Sequence, residues 1–521
     1  MAADAERIRE LEEKLARVIH ERDEYRKLYE LVFMELERVR RHLRAQNKSE
    51  RVDPAQIQLA FSEVAGLIVP PEMAAQLAEQ ENARAEDDKG GHQGGQPGGR
   101  RPPRTKPHGR AKLPEHLPVE RIELDPPESL RTCACCERDK ERIGEETSER
   151  LEWRPASFVR VLTARGKYAC SCEQDGVVIA EVPDSPVDKG LAGPGLLAHI
   201  AVSKYEDHLP LNRLEGIFAR LGVHLSRSTM ADWIAQVADL LRPITDAMAK
   251  AALEAHRIHV DDTPLPVRGP DKKTHKGFMW VYIADDDHVL FRYSPRRNGE
   301  AARSFFTDYK GFIQADAASL YDRLFGDDDA TEVGCWAHAR RRFVEAQVTD
   351  NHRALIGLGF IKKLYEADRL VMKLPPSLRT QERRNRAGPV LDAFKQWLDA
   401  QQLVVLPKTP IADAIGYVRN QWEALTRFLD DARLKLDNNA AERSLRRVAV
   451  GRKNWMFAGS EQGAERAAVL WSLLASCRLH KVDPVAYLRD VLLRVASHPA
   501  RDVLALCPKA WKQQLQDSHA R

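Results

Sequence analysis

Between residues 256 and 346 the hydrophobic period of the chain changes, and that change limits the fold more than any other feature. Residues 257–260 form a short apolar strand ending in Asp261-Asp262-Thr263. Residues 277–284 (GFMWVYIA) and 288–293 (HVLFRY) are two more strands, separated by Asp285-Asp-Asp287, a turn signal. The pattern then predicts a helix at about 299–309, a strand ending at Asp316, and a helix at 317–325. A strand at 332–335 and a helix at 337–346 follow.

Three strands followed by helix–strand–helix–strand–helix give an antiparallel ribbon continued by crossover units. The expected product is a mixed five-stranded sheet with helices on its faces, the order of a ribonuclease-H-like fold. In that order the first and fourth strands are neighbours, so Asp261 and Asp316 converge at one end of the sheet. A single Asp after a strand is ordinarily a turn or cap residue; the pair in this strand order argues for a site. A third acid, Glu442, sits in Leu436-Asp-Asn-Asn-Ala-Ala-Glu-Arg-Ser-Leu-Arg-Arg447. Its helix is expected to start near Asp437-Asn438-Asn439, which are good caps. Two acids that end strands and one acid on a basic helix supply the oxygen ligands that a pair of Mg²⁺ or Mn²⁺ ions takes beside a phosphodiester. A surface carboxylate paired with Arg is the plainer reading of Glu442.

The rest of the 521 residues falls into several further regions, a multidomain α+β and α/β chain. In residues 1–50, apolar positions recur at Ile8, Leu11, Leu15, Val18, Tyr25, Tyr29, Val32, Leu36, Val39 and Leu43. Steps of three and four make an a/d heptad stripe, interrupted at Arg22, that a lone helix cannot bury. A coiled coil and self-association are expected; an amphipathic helix packed on its own protein is the alternative. Residues 51–118 are a helical segment and a Gly/Pro/basic linker, in which 100–112 hold six Lys or Arg and no acid. Such a stretch can track a DNA backbone or be merely solvated.

Residues 119–182 hold five of the eight cysteines. Cys133-x-x-Cys136 and Cys170-x-Cys172 suit tetrahedral zinc, with Cys135 competing for the first knuckle. Residues 190–250 read as helices, two of them joined by Gly222-Val-His-Leu-Ser226. That join resembles a helix-turn-helix, with Arg227 and Ser228 at the start of a candidate recognition helix, although a plain helical pair fits as well. The catalytic core is expected over 251–349 and 431–480, split by a helical insertion at 350–430 with a basic connector at 379–386. A C-terminal helical segment covers 481–521. Net charge is only +4, but 433–454 carry seven basic residues against two acids. Arg340, Arg341, Arg443, Arg446, Arg447, Arg452 and Lys453 are candidate phosphate contacts, and Trp455 a candidate base-stacking residue. No run is long and apolar enough for a membrane span, and the N-terminus lacks a secretory core, so a cytoplasmic, nucleoid-associated protein is expected.

The strings His259-Val-Asp-Asp-Thr263, Gln314-Ala-Asp316, Cys335-Trp-Ala-His-Ala-Arg-Arg341, Asp437-Asn-Asn-Ala-Ala-Glu-Arg443 and Gly451-Arg-Lys-Asn-Trp-Met-Phe-Ala-Gly-Ser460 resemble the DDE transposases of bacterial insertion-sequence family sixty-six. The resemblance covers nearly the whole chain. It implies that Asp261, Asp316 and Glu442 take the three catalytic positions, with Mg²⁺ (or Mn²⁺) as cofactor and Zn²⁺ in the cysteine module. It also implies double-stranded DNA partners, namely terminal repeats and target, and accessory proteins of the same element. Two departures stand out: Asp262 follows the first acid where the family commonly has Glu, and the second cysteine pair is C-x-C. A ribonuclease-H-fold nuclease that does not transpose and an inactive DNA-binding regulator are the rival readings.

Overall fold

A computed structural model describes residues 113, 115, 117–154, 157–169, 177–181, 185–187, 190–325 and 330–519. The heptad segment, nearly all of the linker, and Cys170 and Cys172 lie outside them. The described chain forms two compact units. One contains residues 333–437, and the other contains the segments before 333 and after 437.

In the larger unit, β1 (Val119–Leu124), β2 (Glu141–Arg154), β3 (Ser157–Ala169) and β4 (Val178–Ile179) make the first sheet. Its order is β1-β3-β2, with β1 parallel and β2 antiparallel to β3, and β4 also on β3. The long hairpin docks on α1 (Pro194–Tyr205) through Glu152. That carboxylate accepts hydrogen bonds from the Leu196 and Trp153 amides, at 2.8 and 2.7 Å. An acid there satisfies an orphan amide and complements the positive helix end. Gly193 and Gly195 leave room for it, since a Cβ on either would fall 2.4–2.5 Å from a Glu152 oxygen.

Helix α2 (Leu211–Arg220) turns through Gly222, whose φ of 77° suits glycine, into α3 (Arg227–Ala252). Ser226 caps α3 by accepting from the Thr229 amide at 3.1 Å. The expected recognition helix is thus a 26-residue rod with one buried face; Arg227 and Ser228 are exposed at its start, and exposed residues such as Asp232, Gln236, Asp246 and Lys250 continue along its outer side.

The second sheet consists of β5 (Arg257–Arg268), β6 (Thr274–Ala284), β7 (His288–Ser294), β8 (Phe312–Gln314) and β9 (Thr331–Val333), in the order β7-β6-β5-β8-β9. The first three are antiparallel, and β8 runs parallel to β5. Between β7 and β8 lies the short helix α4 (Glu300–Phe305); after Asp316 the chain makes a 3₁₀ turn, Ser319–Leu324, where a helix was expected. Strand β5 also departs from expectation. It does not stop at Asp261 but continues for seven more residues, with Thr263, Leu265 and Val267 buried in alternation.

The smaller unit is helical: α5 (Trp336–Ala346), α6 (Asn351–Val371), α7 (Pro376–Gln402), α8 (Pro410–Asn420) and α9 (Trp422–Thr426). Residues 379–386, expected as a basic connector, are part of α7. Arg383 there is 1% exposed. Its guanidinium donates to Asp368 at 2.6 Å and to the carbonyls of Phe428, Asp431 and Leu434 at 2.8–3.1 Å. The basic residue has become a structural hub, because a guanidinium can satisfy several acceptors at once.

The chain re-enters the larger unit with α10 (Asn439–Trp455), α11 (Glu461–Leu479), α12 (Pro484–Arg494) and α13 (Pro508–His519). Helix α11 covers the open edge of β7. Ser472 and Ser476 accept from the amides of Phe291 and Val289 at 2.7 and 3.0 Å. Edge amides that the sheet leaves bare are thereby paired. No described helix is long and apolar enough to cross a membrane.

Candidate active site

Asp261 lies on β5 opposite Val281 of β6. One of its oxygens accepts from the Asp262 amide at 2.7 Å. Its carboxyl is pushed up to about 7, first by burial; the Asp262 amide opposes this, while the charges of Asp316, Asp262 and Glu442 add to it. Three elements therefore bring acid charge to bear on one carboxyl: β5, the segment after β8, and α10.

Asp316 lies two residues past the end of β8. Its Oδ1 accepts from the Ala318 amide at 3.2 Å, across Ala317, whose φ is 57°. A non-glycine residue in the left-handed region is strained, and the bend carries the backbone away from the sheet just past the acid. Glu442 sits in the first turn of α10, half-buried, with its amide donating to the Asn438 carbonyl at 3.3 Å.

Asn438 does not cap with its side chain as the sequence suggested. Its amide instead donates to the Val260 carbonyl at 2.8 Å, and its oxygen lies 2.9 Å from His259 Nδ1. Both Asn438 and His259 are 0% exposed. This buried pair ties the start of α10 to β5 immediately before Asp261. Asp262, the departure noted above, receives Arg297 Nε on both oxygens at 2.8 and 3.0 Å. Burial raises its carboxyl and Arg297 counters that rise.

The sequence did not point to Arg297, Asn438 as a strand ligand, or His259. A histidine between the buried apolar Ile258 and Val260 was the available signal.

The candidate phosphate contacts divide by their partners. Arg447 donates to the Glu206 carbonyl at 2.9 Å and pairs with its carboxylate at 3.0 Å. Arg452 donates to Thr263 Oγ1 at 3.1 Å and to the Pro264 carbonyl. Both hold α10 to its own unit. Arg443, Arg446 and Lys453 are exposed, Trp455 is half-buried beside Trp471, and Arg340 and Arg341 lie on α5 in the other unit.

In the cysteine module, Cys133 is buried, Cys136 half-buried and Cys135 exposed. The turn is closed by the Cys133 amide donating to the Arg138 carbonyl at 2.8 Å and the Glu137 amide donating to the Cys133 carbonyl at 2.9 Å. The β2–β3 register pairs Glu141 with Ala169, so the residue preceding Cys170 lies beside the strand that leaves this turn.

Among the described residues, no three His, Cys, Asp or Glu side chains are drawn closely enough to enclose an ion. The donor chemistry of Asp261, Asp316 and Glu442 nevertheless fits a hard divalent cation. All three offer carboxylate oxygens, and their mutual repulsion at Asp261 is what such an ion relieves.

Comparison with known proteins covers most of the chain. Residues 189–466 match the family model described as Transposase IS66 family. Residues 131–173 match the zinc-finger binding domain of transposase IS66, and 472–508 the IS66 C-terminal element. Residues 36–122 match a model described as Transposase C of IS166 homeodomain. Uncharacterized protein y4hP of Sinorhizobium fredii is 33% identical over 92% of this chain and 88% of its own length. Uncharacterized proteins y4qI and y4jD of the same organism are 32% and 35% identical over 92% and 77% of this chain, and 87% and 81% of theirs. No solved structure matches it significantly. The chain belongs to the IS66 family of transposases.

Proposed function

We propose that this transposase cuts DNA at the ends of its element and joins them to target DNA, in a ribonuclease-H-like core whose ligands are Asp261, Asp316 and Glu442. The observation that supports the reading is that β5 and β8 are paired neighbours and Asn438 ties the start of the Glu442 helix to Val260; consistent with it, burial first and then acid charges, those of Asp316 and Glu442 among them, push the Asp261 carboxyl up to about 7. Acids from elements far apart in sequence that burden one another are costly to keep and suit a site that receives cations. Asp261 and Asp316 hold the divalent ions and Glu442 completes their oxygen shell. Bound there, Mg²⁺ or Mn²⁺ supplies an activated nucleophile and neutralises charge at the leaving oxygen.

The chain's own residues orient that chemistry. The Ala318 amide fixes one oxygen of Asp316, the Asp262 amide fixes one of Asp261, and Asn438 sets the start of the helix that carries Glu442. Arg443, Arg446 and Lys453 offer phosphate contacts along α10. Cys133, Cys136, Cys170 and Cys172 hold a structural zinc, and the N-terminal heptads pair two chains so that two ends are held together.

The test is cleavage of labelled element ends in Mg²⁺ or Mn²⁺, with a target plasmid present. Asp316→Asn and Glu442→Gln should each lose at least about 1,000-fold in cleavage while still binding ends, the scale of removing charge stabilisation at a reacting centre. Parental activity in either variant refutes the assignment. Nicking by the parent without joining favours a nuclease that does not transpose.

A further inference from the structure

Tyr321 lies in the 3₁₀ turn five residues after Asp316 and is 1% exposed. Its ring meets Trp280 edge-on, with centroids 6.3 Å apart. Its hydroxyl is buried without a hydrogen-bond partner among the described residues. Most buried polar groups are paired, and an unpaired one costs about 1–3 kcal/mol, so an orphan hydroxyl calls for an explanation.

Its surroundings supply one. After burial, the influences that hold the proton on this phenol are the charges of Asp316, Asp261 and Asp262, in that order. Trp280, which the ring touches, stands opposite Asp262 on the neighbouring strand, so the phenol is a protonated donor packed beside the acid-bearing part of β5. Several neighbouring polar atoms have other commitments. Asp262 has both oxygens on Arg297, Asp261 Oδ1 accepts from the Asp262 amide, and Asp316 Oδ1 accepts from the Ala318 amide. Trp280 Nε1 donates to Ser294 Oγ at 2.8 Å.

We propose that Tyr321 is a further active-site residue, whose hydroxyl donates a hydrogen bond to an anionic oxygen arriving with the loaded site. That oxygen belongs either to the metal's water or hydroxide or to the scissile phosphate. The inference rests on the three-acid reading above.

The decisive variant is full-length Tyr321→Phe, which deletes one oxygen and keeps the ring. Three readouts are needed, with Asp316→Asn run alongside. First, melting in EDTA should stay at the parental temperature or rise, because an unpaired buried hydroxyl is removed. A fall shows that the hydroxyl already had a protein partner and overturns the proposal. Second, single-turnover cleavage of end DNA in Mg²⁺ should drop by about 100-fold, the scale of losing one donor to a developing charge. Third, Mn²⁺ titration without DNA separates the two sources. Weaker Mn²⁺ binding identifies the metal's own oxygen; unchanged Mn²⁺ binding with slower cleavage identifies the phosphate. Parental cleavage together with parental Mn²⁺ affinity overturns the proposal. If Asp316→Asn cuts like the parent, the three-acid reading fails first and this one with it.

Discussion

Asn438→Ala is the sharpest probe of how Glu442 is positioned. The substitution removes the donor to the Val260 carbonyl, at 2.8 Å, and the oxygen that meets His259 Nδ1, at 2.9 Å. Both contacts are buried. Each polar atom stripped of its buried partner costs about 1–3 kcal/mol, so the pair predicts a loss of roughly 2–6 kcal/mol. At about 2–4 °C per kcal/mol for a large domain, melting should fall by roughly 4–24 °C. Differential scanning fluorimetry in EDTA measures this without any contribution from metal. The catalytic consequence is separate. The start of α10 is no longer tied to the strand that carries Asp261, and a misplacement of about 1 Å can cost about 100-fold in rate. Cleavage of end DNA should therefore fall well below what partial unfolding explains when assayed far beneath the melting point. An Asn438→Ala protein that melts with the parent refutes the energetic argument. One that melts lower yet cuts at full rate when cold refutes the positional one.

Three further outcomes follow. The Asp261 carboxyl moves from its ordinary 3.8 to about 7, so between those values the folded state holds a proton that the unfolded state has released; stability contributed by this group falls as pH rises through that window and is level above it. In EDTA, Asp261→Asn should gain on the parent by at most about 4 kcal/mol between pH 4 and 8, and parallel melting curves for the two proteins would exclude this. Purified protein should contain about one zinc per chain, and Cys136→Ser should lose it together with thermal stability of the cysteine module; retention of zinc by Cys136→Ser removes that cysteine from the ligand set. Arg383→Met leaves Asp368 and three carbonyls without their shared donor and should destabilise the helical unit by about 3–5 kcal/mol, read as an earlier unfolding step in calorimetry; an unchanged trace refutes the hub.

Where local chemistry decided the structure, the sequence was readable. The alternation in GFMWVYIA and HVLFRY gives β6 and β7. The turn between them carries Asp285 and Asp286 at φ of 50° and 96°, a left-handed conformation that Asp tolerates. The extent of β5 was hidden. Asp261-Asp262 reads as turn chemistry, and Pro264 and Pro266 discourage a strand assignment. Proline is accommodated there because β5 is paired beyond Asp261 by β6 on one side and, at its end, by Ala458, whose amide donates to the Pro266 carbonyl at 2.9 Å. Ala458 lies almost two hundred residues further on, and no local pattern points to it. The same limit applied to Arg447 and Arg452. Their spacing on a basic helix suggests phosphate, yet Glu206, the Thr263 hydroxyl and the Pro264 carbonyl claim them. A count of charges cannot tell a contact reserved for DNA from one already made at home.

The helical insertion sharpens the case for the Asn438 seam. The chain leaves the second sheet at β9 and returns only at Asn438, about a hundred residues later. Closing a long excursion costs little more than closing a short one, since the entropy grows only with the logarithm of length. Length therefore does not penalise an insertion at this point, but neither does it specify where the returning strand of chain should land. Something at the re-entry must fix the register of α10, or Glu442 would be set by whatever the insertion happens to do. Asn438 is the first residue of the returning segment, and its side chain bonds Val260 and His259 of β5. Placing the anchor at the first returning residue makes the position of Glu442, one helical turn on, a property of the sheet rather than of the insertion. On this account, changes inside residues 350–430 that leave that unit folded should shift cleavage far less than the single change at Asn438.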